Sequence, residues 1–200
     1  MELIRHQHHE VDEDAREDCV SVRVGWDMFE AFLESRGNAR PRFTYLDGVL
    51  EFMSPSFNHE LIASNLGRLL ERWTEELGID LVLMGSLTIK KKAKQAGVEP
   101  DKCYFRGSAS TRRTPDLAIE VVWTAPLVDK LEVYRRLNVR ELWVWEKGVL
   151  TPWILGANGY ARGRKSRVLP EIDLKQLNRY ALRVDQLKAL RELLAAVRRG

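Results

Sequence analysis

VEPDKCYF, residues 98–105, and TPDLAIEVVW, residues 114–123, dictate the architecture of this 200-residue chain. Each has the pattern of a short β-strand with a Pro-Asp pair at or near its start, and a glutamate interrupts the apolar run of the second. Strands rich in Val, Ile and Leu are usually buried, and an ionised carboxylate is costly there unless it is paired or bound to a cation. Asp101, Asp116 and Glu120 therefore need partners.

The geometry of the two strands sharpens this requirement. Side chains alternate between the faces of a strand, so Asp116 and Glu120 share one face and lie about 13 Å apart at about 3.3 Å per residue. That is too far for both to hold one ion directly unless the strand bends. If the two strands pair as a hairpin, however, Asp101 lies beside Glu120. Neighbouring carboxylates repel each other unless a proton or cation separates them, and Mg²⁺ or Mn²⁺ favours such oxygen ligands.

Lys130 lies in the first turns of a predicted helix, PLVDKLEVYRRLN at residues 126–138. A helix that folds back from the end of the second strand could bring its ammonium group to the same ion as Asp101 and Glu120. Two acids, a divalent ion and a lysine form a set suited to cleaving phosphodiester bonds. The ion polarises the phosphoryl oxygen and activates water, and the lysine neutralises charge or positions the nucleophile.

Purely structural interpretations compete with this one. Asp116 follows Pro115 at the start of a strand, where aspartate is a common turn residue. Lys130 could pair with Asp129 or Glu132 on a solvated helix face. Glu120 is the hardest of the candidates to explain in this way, because glutamate is rarely buried without a partner.

Composition indicates a folded protein without a membrane span. The hydrophobic fraction is 44% and the charged fraction 30%, and no stretch approaches the roughly 18 apolar residues that would cross a bilayer. The first eighteen residues lack the apolar segment of a signal peptide and predict a flexible N-terminal extension over 1–18, followed by a single domain over 19–200. Cys19 and Cys103 have no CxxC spacing and are interpreted as free thiols, so we expect a cytoplasmic protein.

Positive charge is concentrated in three segments, although the net charge is only +3. These segments are IKKKAK at 89–94, RGSASTRRT at 106–114 and ARGRKSR at 161–167. Such clusters can follow a phosphate backbone, and they can equally be solvated loops.

The order of the predicted elements is helix, hairpin, helix, strands, helix, strands, which favours a mixed α/β (α+β) fold. Asp47-Gly48 predicts the hairpin turn, and the strongest amphipathic helix falls within residues 54–78. DLVLMGSLTI at 80–89 predicts one strand bent at Gly85, and a C-terminal helix is predicted over 183–199.

Five segments of the chain resemble, in the same order, the Uma-two-like restriction endonucleases, a former domain of unknown function in the PD-(D/E)XK nuclease superfamily. The resemblance runs from about residue 20 to about residue 160. It implies a restriction-endonuclease-like core, with a central mixed sheet of four or more strands flanked by helices. The segments are YLDGVLEFMSP, NHELIASNLGRLL, VEPD, TPDLAIEVV and DKLEVYRRLNVRELWVW.

The resemblance also implies a site. The Pro-Asp aspartate and the acid on the next strand correspond to Asp101 and Glu120, which would bind the metal. The superfamily lysine usually lies two residues beyond the acid, where this chain has Val122, and Lys130 on the following helix stands in its place. Asp116 also matches an aspartate position of the family.

Two accessory residues follow from the same resemblance. An acid on the first helix often supplements the site, and Glu60 is the candidate here, with His59 beside it. The chain departs from the family after the acidic strand, where it reads WTAP at residues 123–126 in place of a frequent Ser-Pro-Ser loop.

Three functions are compatible with these observations. The first is a Mg²⁺- or Mn²⁺-dependent DNA endonuclease, as a homodimer if both strands of a duplex are cut. The second, motivated by Val122 and the changed loop, is a nucleic-acid- or partner-binding module whose chemistry has decayed. The third, a structural homodimer, would need exposed aromatic residues at Trp143, Trp145 and Trp153, which the strand pattern instead places in the core.

Overall fold

The computed structural model describes most of the chain, and its described residues are 2–8, 17–36, 41–85, 87–108 and 112–199. The strands within these ranges are β1 (Glu2–His8), β2 (Asp18–Arg23), β3 (Arg42–Leu46), β4 (Val49–Ser54), β5 (Leu81–Met84), β6 (Ile89–Lys91), β7 (Ala96–Val98), β8 (Lys102–Arg106), β9 (Leu117–Val122), β10 (Glu141–Glu146), β11 (Val149–Gly156) and β12 (Gly159–Arg162). The helices are α1 (Trp26–Arg36), α2 (Phe57–Glu76), α3 (Lys130–Leu137), α4 (Leu174–Asn178) and α5 (Gln186–Val197).

The described strands form two six-stranded sheets. Sheet A has the order β1-β2-β4-β3-β7-β6 and is antiparallel throughout. Sheet B has the order β12-β11-β10-β9-β8-β5 and is mixed, because β9 and β10 run parallel while its other neighbours are antiparallel. A mixed sheet of more than four strands confirms the predicted fold class.

The turn between β3 and β4 forms as the sequence predicts. Asp47 and Gly48 both have positive φ, +46° and +84°, the backbone that a two-residue hairpin of this kind requires. Glycine adopts it without steric cost, and aspartate tolerates it better than most residues. The turn fixes the register of β3 against β4, with Leu46 opposite Val49.

Helices cover one face of sheet B. Leu117 and Ile119 of β9 pack with Leu66 and Leu70 of α2 in a cluster to which α4 and α5 also contribute. Burial of each such aliphatic side chain contributes about 1.5–3 kcal/mol relative to its exposure to water. This cluster explains why the amphipathic pattern within residues 54–78 forms a helix against the sheet.

Helix α3 and the end of sheet A cover the other face. Cys103 and Ala118 pack there with Val133 of α3, Ile89 of β6 and Val98 of β7. Because side chains alternate along β9, this is also the face of Glu120. Sheet B is therefore buried on both sides where β9 passes through it, and Glu120 points into the layer beneath α3.

Part of the segment predicted as an N-terminal extension forms a strand in the structure. Glu2–His8 forms β1 and pairs antiparallel with β2 at the edge of sheet A, and Glu17 is only 2% exposed. Edge pairing uses backbone hydrogen bonds and needs no apolar run, so composition did not reveal it. Residues 9–16, which the same prediction covered, lie outside the described residues.

Two further boundaries differ from the sequence predictions. The predicted strand at 80–89 divides into β5 of sheet B and β6 of sheet A, with the chain leaving one sheet for the other near Gly85. The C-terminal helix begins at Gln186 rather than 183, with Asp185 as its N-cap residue.

Other sequence expectations match the structure. Cys19 and Cys103 are both buried and unpaired, and Trp143 and Trp145 belong to the core. Among the described residues, no helix has the length and apolar character that crossing a membrane requires.

Gly97→Ala tests the packing between β7 and α1. A Cβ atom at Gly97 would lie 2.8 Å from Cζ of Phe29, a fully buried ring that stacks on Tyr45 at 4.6 Å. We expect the free energy of unfolding to fall by about 1–3 kcal/mol, since overpacking forces side chains out of their rotamers. Urea denaturation measures this change. Gly85→Ala is the control, because its Cβ would meet no atom within 4 Å. Equal effects of the two variants would contradict this packing.

Candidate active site

The register of sheet B brings Asp101 beside Glu120. Lys102 pairs with Ile119, so the preceding residue, Asp101, lies opposite Glu120 on the neighbouring strand. Directly opposed residues of an antiparallel pair have Cβ atoms about 4.5–5.5 Å apart. Both side chains are buried, at 7% and 1% exposure, and Asp101 Oδ2 accepts a 2.7 Å hydrogen bond from the N–H of Val121.

Helix α3 supplies both partners of the Glu120 carboxylate. Lys130 Nζ lies 2.5 Å from Oε2, and the Tyr134 hydroxyl donates a hydrogen bond to Oε1. The two residues are four apart in sequence, so they share one face of the helix. Asp129 caps α3 by accepting the N–H of Glu132 at 3.1 Å, which fixes where the helix begins. Lys130 therefore points inward and does not pair on a solvated surface.

The charge of Lys130 is held in place electrostatically. Burial alone would lower the pKa of its ammonium group, but the charges of Glu120 and Glu51 outweigh burial and raise the pKa above its usual value. Lys130 is consequently a cation at neutral pH. It can stabilise negative charge, and it is not poised to remove a proton.

The first turn of α2 supplies a second set of contacts, directed at Asp101. Ser56 caps the helix by accepting the N–H of His59 at 3.2 Å, and this places the buried imidazole between two carboxylates. His59 Nδ1 lies 2.6 Å from Glu17 Oε1, and Nε2 lies 3.0 Å from Asp101 Oδ2. The imidazole ring thus links a residue that precedes β2 to the acid that precedes β8.

Arg42 of β3 completes the surroundings of Asp101. Its guanidinium forms an ion pair with Asp101 Oδ1 and donates a 2.9 Å hydrogen bond to Glu60 Oε1. The predicted accessory residues His59 and Glu60 are therefore both connected to Asp101, His59 directly and Glu60 through Arg42.

Two carboxylates hold the loop between β9 and α3. Glu17 Oε2 accepts the N–H of Thr124 at 3.0 Å, and Glu51 Oε2 accepts those of Leu127 and Val128 at 2.5 and 3.1 Å. Burial raises the pKa of Glu51, although Lys130 and these N–H donors act in the opposite direction. The WTAP segment is thus fixed by acids that come from outside sheet B.

Carboxylates outnumber permanent cations in this buried cluster. Four buried carboxylates, at Glu17, Glu51, Asp101 and Glu120, lie with two permanent cations, Arg42 and Lys130, and with the His59 imidazole between Glu17 and Asp101. Like charges buried together are costly unless protons or cations compensate them. These oxygen donors fit a hard divalent cation such as Mg²⁺.

A cavity borders Glu120. Glu120, Val122 and Lys130 line a cavity of about 630 Å³ between α3 and strands β10 and β11. Mg²⁺ keeps several waters and is commonly bound by one or two carboxylates together with a substrate phosphate. Within the described residues no cluster of three His, Cys, Asp or Glu side chains is arranged as a metal site, so the Asp101–Glu120 pair would need water to complete the coordination.

Asp116 is not part of this cluster. It precedes β9, at the opposite end of the strand from Glu120, and its carboxylate pairs with Arg112 and Arg140 and accepts the N–H of Arg106 at 2.9 Å. The structure brings together Asp101, Glu120, Lys130, His59 and Glu60 of the sequence candidates, and it leaves Asp116 in a separate group of arginines.

Sequence reasoning missed four members of the cluster. Tyr134 could have been found, since it lies one helical turn after Lys130 on the same face. Arg42 and Glu51 come from sheet A and Glu17 directly precedes its strand β2, and no local pattern connects these residues with Asp101 or Glu120. Their roles depend on how the two sheets pack.

The mixed sheet flanked by helices is that of a restriction-endonuclease-like nuclease fold. Residues 26–180 match the Uma2 family, described as "Putative restriction endonuclease", and the chain belongs to this family. No curated protein matches the chain.

A solved structure supports the fold. It is described as "a putative nuclease belonging to DUF820 from Anabaena variabilis ATCC 29413", and it resembles this chain with a TM-score of 0.55 at 15% sequence identity. The match covers 76% of this chain and 98% of that chain, so nearly the whole of the solved protein shares this architecture.

Tyr134→Phe tests how Glu120 is held. Without the hydroxyl, a buried carboxylate oxygen loses its donor, and we expect the free energy of unfolding to fall by about 1.5–3 kcal/mol, the range for hydrogen bonds to charged groups. Chemical denaturation measures the change. The control is Tyr160→Phe, which removes a hydroxyl bonded to the uncharged carbonyl of Val139 and should cost about 1 kcal/mol. A smaller effect at Tyr134 than at Tyr160 would contradict the assignment.

Proposed function

We propose that this protein is a Mg²⁺- or Mn²⁺-dependent endonuclease that hydrolyses phosphodiester bonds of DNA. The observation that carries the proposal is the juxtaposition of Asp101 and Glu120 on adjacent strands, with Lys130 against Glu120, in a chain that belongs to a nuclease family. Nucleic acid is the substrate class that the family description implies.

Asp101 and Glu120 are the residues that would hold the metal. When bound there, a divalent ion would polarise a phosphoryl oxygen and lower the pKa of a water molecule. Lys130 contributes a fixed positive charge that stabilises the negative charge developing on the phosphate. Tyr134 positions Glu120, and His59 and Arg42 position Asp101, so each acid is oriented from a different helix or strand.

The position of Lys130 supports the relocation of the superfamily lysine. Val122, which stands at the usual lysine position, lines the same cavity as Lys130 and Glu120. The Lys130 ammonium group of α3 therefore borders the same cavity that a lysine at position 122 of β9 would border. The cavity also gives a phosphate a route to Glu120, which is otherwise buried.

A homodimer belongs to the same proposal. Cleavage of both strands of a duplex suits an enzyme with two-fold symmetry, because each protomer then addresses one strand.

A second candidate function is a nucleic-acid-binding module without catalysis. It is favoured by the fact that both acids already have cationic partners, Arg42 for Asp101 and Lys130 for Glu120. In that case the ion pairs would replace the metal, and they would not open to admit it.

Cleavage of supercoiled plasmid tests the proposal. Wild type with Mg²⁺ or Mn²⁺ should nick or linearise the plasmid, and Glu120→Gln should lose activity by at least about 10²-fold, the scale for removing one group that stabilises the transition state. Glu34→Gln, at an exposed position of α1, is the control and should cut as wild type does. Equal cleavage by wild type and Glu120→Gln would exclude this site.

Lys130→Ala separates the two candidate functions. In an enzyme, turnover should fall by about 10²–10³-fold while DNA affinity changes little, because the lysine acts on the transition state. In a binding module, wild type should not cut, and the variant should show only the modest loss of affinity expected of one phosphate contact. Single-turnover cleavage and binding in EDTA measure the two quantities separately.

A further inference from the structure

A second concave site lies at the start of β9, at the end of the strand remote from Glu120. Its cavity, of about 430 Å³, is lined by residues from β8, β10, β11 and the loops beside them. Four arginines contribute to it: Arg106, Arg112, Arg140 and Arg167.

The arginines of this pocket outnumber the acids beside them. Asp116 and Glu141 line it, and Glu171 pairs with Arg106 at 2.7 Å, so three carboxylates face four guanidinium groups. Glu141 is fully buried and accepts hydrogen bonds from Trp143 Nε1 at 2.5 Å and from the N–H groups of residues 167 and 168 at 2.7 and 3.0 Å. Its oxygens are thus taken by uncharged donors. The Arg167 side chain has no ion-pair partner in the described part of the chain.

Asp116 pairs with two of the four arginines. One carboxylate pairs with Arg112 and, at 3.1 Å, with Arg140. The Arg112 guanidinium also donates to the carbonyl of Arg106 at 2.8 Å and lies 5.0 Å from the centre of the Phe105 ring. Guanidinium groups immobilised in this way lose less conformational entropy when they bind a ligand, and their planar donors match the oxygens of a phosphate.

The pocket is also where two of the basic segments of the sequence converge. Arg106 and Arg112 belong to the segment 106–114, and Arg167 ends the segment 161–167. These segments are far apart in sequence, and folding brings them to one concavity. Positive charge that is dispersed along the chain becomes a single localised patch.

We infer that this arginine pocket binds a backbone phosphate of a nucleic acid, outside the catalytic centre. The identity of the ligand as nucleic acid rests on the proposed function, whereas the affinity for a phosphate diester follows from the pocket itself. Asp116 and Glu120 are about 13 Å apart along β9. The pocket would thus hold the substrate away from the cut.

The test is the salt dependence of DNA binding in EDTA, where no cleavage occurs. Arg140→Ala/Arg167→Ala removes two exposed arginines of the pocket, and Arg191→Ala/Arg199→Ala removes two exposed arginines near the C-terminus. Fluorescence anisotropy of a labelled duplex should show about tenfold weaker binding for the pocket variant. Its slope of log affinity against log salt should be shallower by about 1–2, at about 0.9 for each phosphate that the variant no longer neutralises. The control variant should match wild type.

Two results would overturn the inference. Equal slopes for the pocket and control variants would mean that the arginines are ordinary surface charge. Loss of binding to a labelled polyglutamate peptide, with duplex binding intact, would indicate an acidic protein partner instead. Arg167→Ala alone serves as a second variant, because its side chain has no ion-pair partner in the described structure and its removal should not disturb the fold.

The same measurements separate this inference from the proposed catalysis. If wild type binds duplex through the pocket but cuts no plasmid with Mg²⁺ or Mn²⁺, the catalytic proposal fails and the phosphate site stands. If wild type cuts and the pocket variant binds as the control does, the phosphate site fails and the catalytic proposal stands.

Discussion

The buried carboxylate of Glu120 is the constraint on which the site depends. It lies in the middle of a mixed sheet that is covered on both faces, where only 1% of its surface is exposed to water. An acid in such a place must be neutralised, and α3 does so with Lys130 and Tyr134. The position of α3 against β9 therefore depends on the contacts that Lys130 and Tyr134 make with the Glu120 carboxylate. A substitution that removes the charge of Glu120 would remove the partner to which Lys130 and Tyr134 of α3 bind.

Polar contacts connect the two sheets at the same place. Glu51 of β4 and Glu17, which precedes β2, hold the backbone of the loop that leads into α3. His59 and Arg42 connect Asp101 to α2 and to sheet A. To free Glu120 or Asp101 for a metal ion, the protein must therefore break polar contacts that also stabilise the fold. Because the buried carboxylates outnumber the permanent cations, a bound cation would reduce the repulsion between them.

Local patterns predicted the parts of this molecule that depend on neighbouring residues. The Asp47-Gly48 turn, the burial of β9 and the pairing of Asp101 with Glu120 all follow from strand alternation and short connections. The contacts of Glu17, Arg42 and Glu51 could not be predicted, because they arise where sheet A packs on sheet B. The strand β1 was missed for a related reason, since a polar edge strand is defined by its partner's backbone and not by its own composition. Asp116 matched a family position, but its arginine partners belong to a different surface.

The most direct test of the metal site is anomalous diffraction from crystals soaked in Mn²⁺. If Asp101 and Glu120 form a metal centre, a manganese peak will lie within coordination distance of one oxygen from each of them, with Lys130 displaced from Glu120 Oε2. Peaks only at other positions, with Lys130 still paired to Glu120, would contradict it. The two acids would then form a structural ion-pair network and not a metal centre.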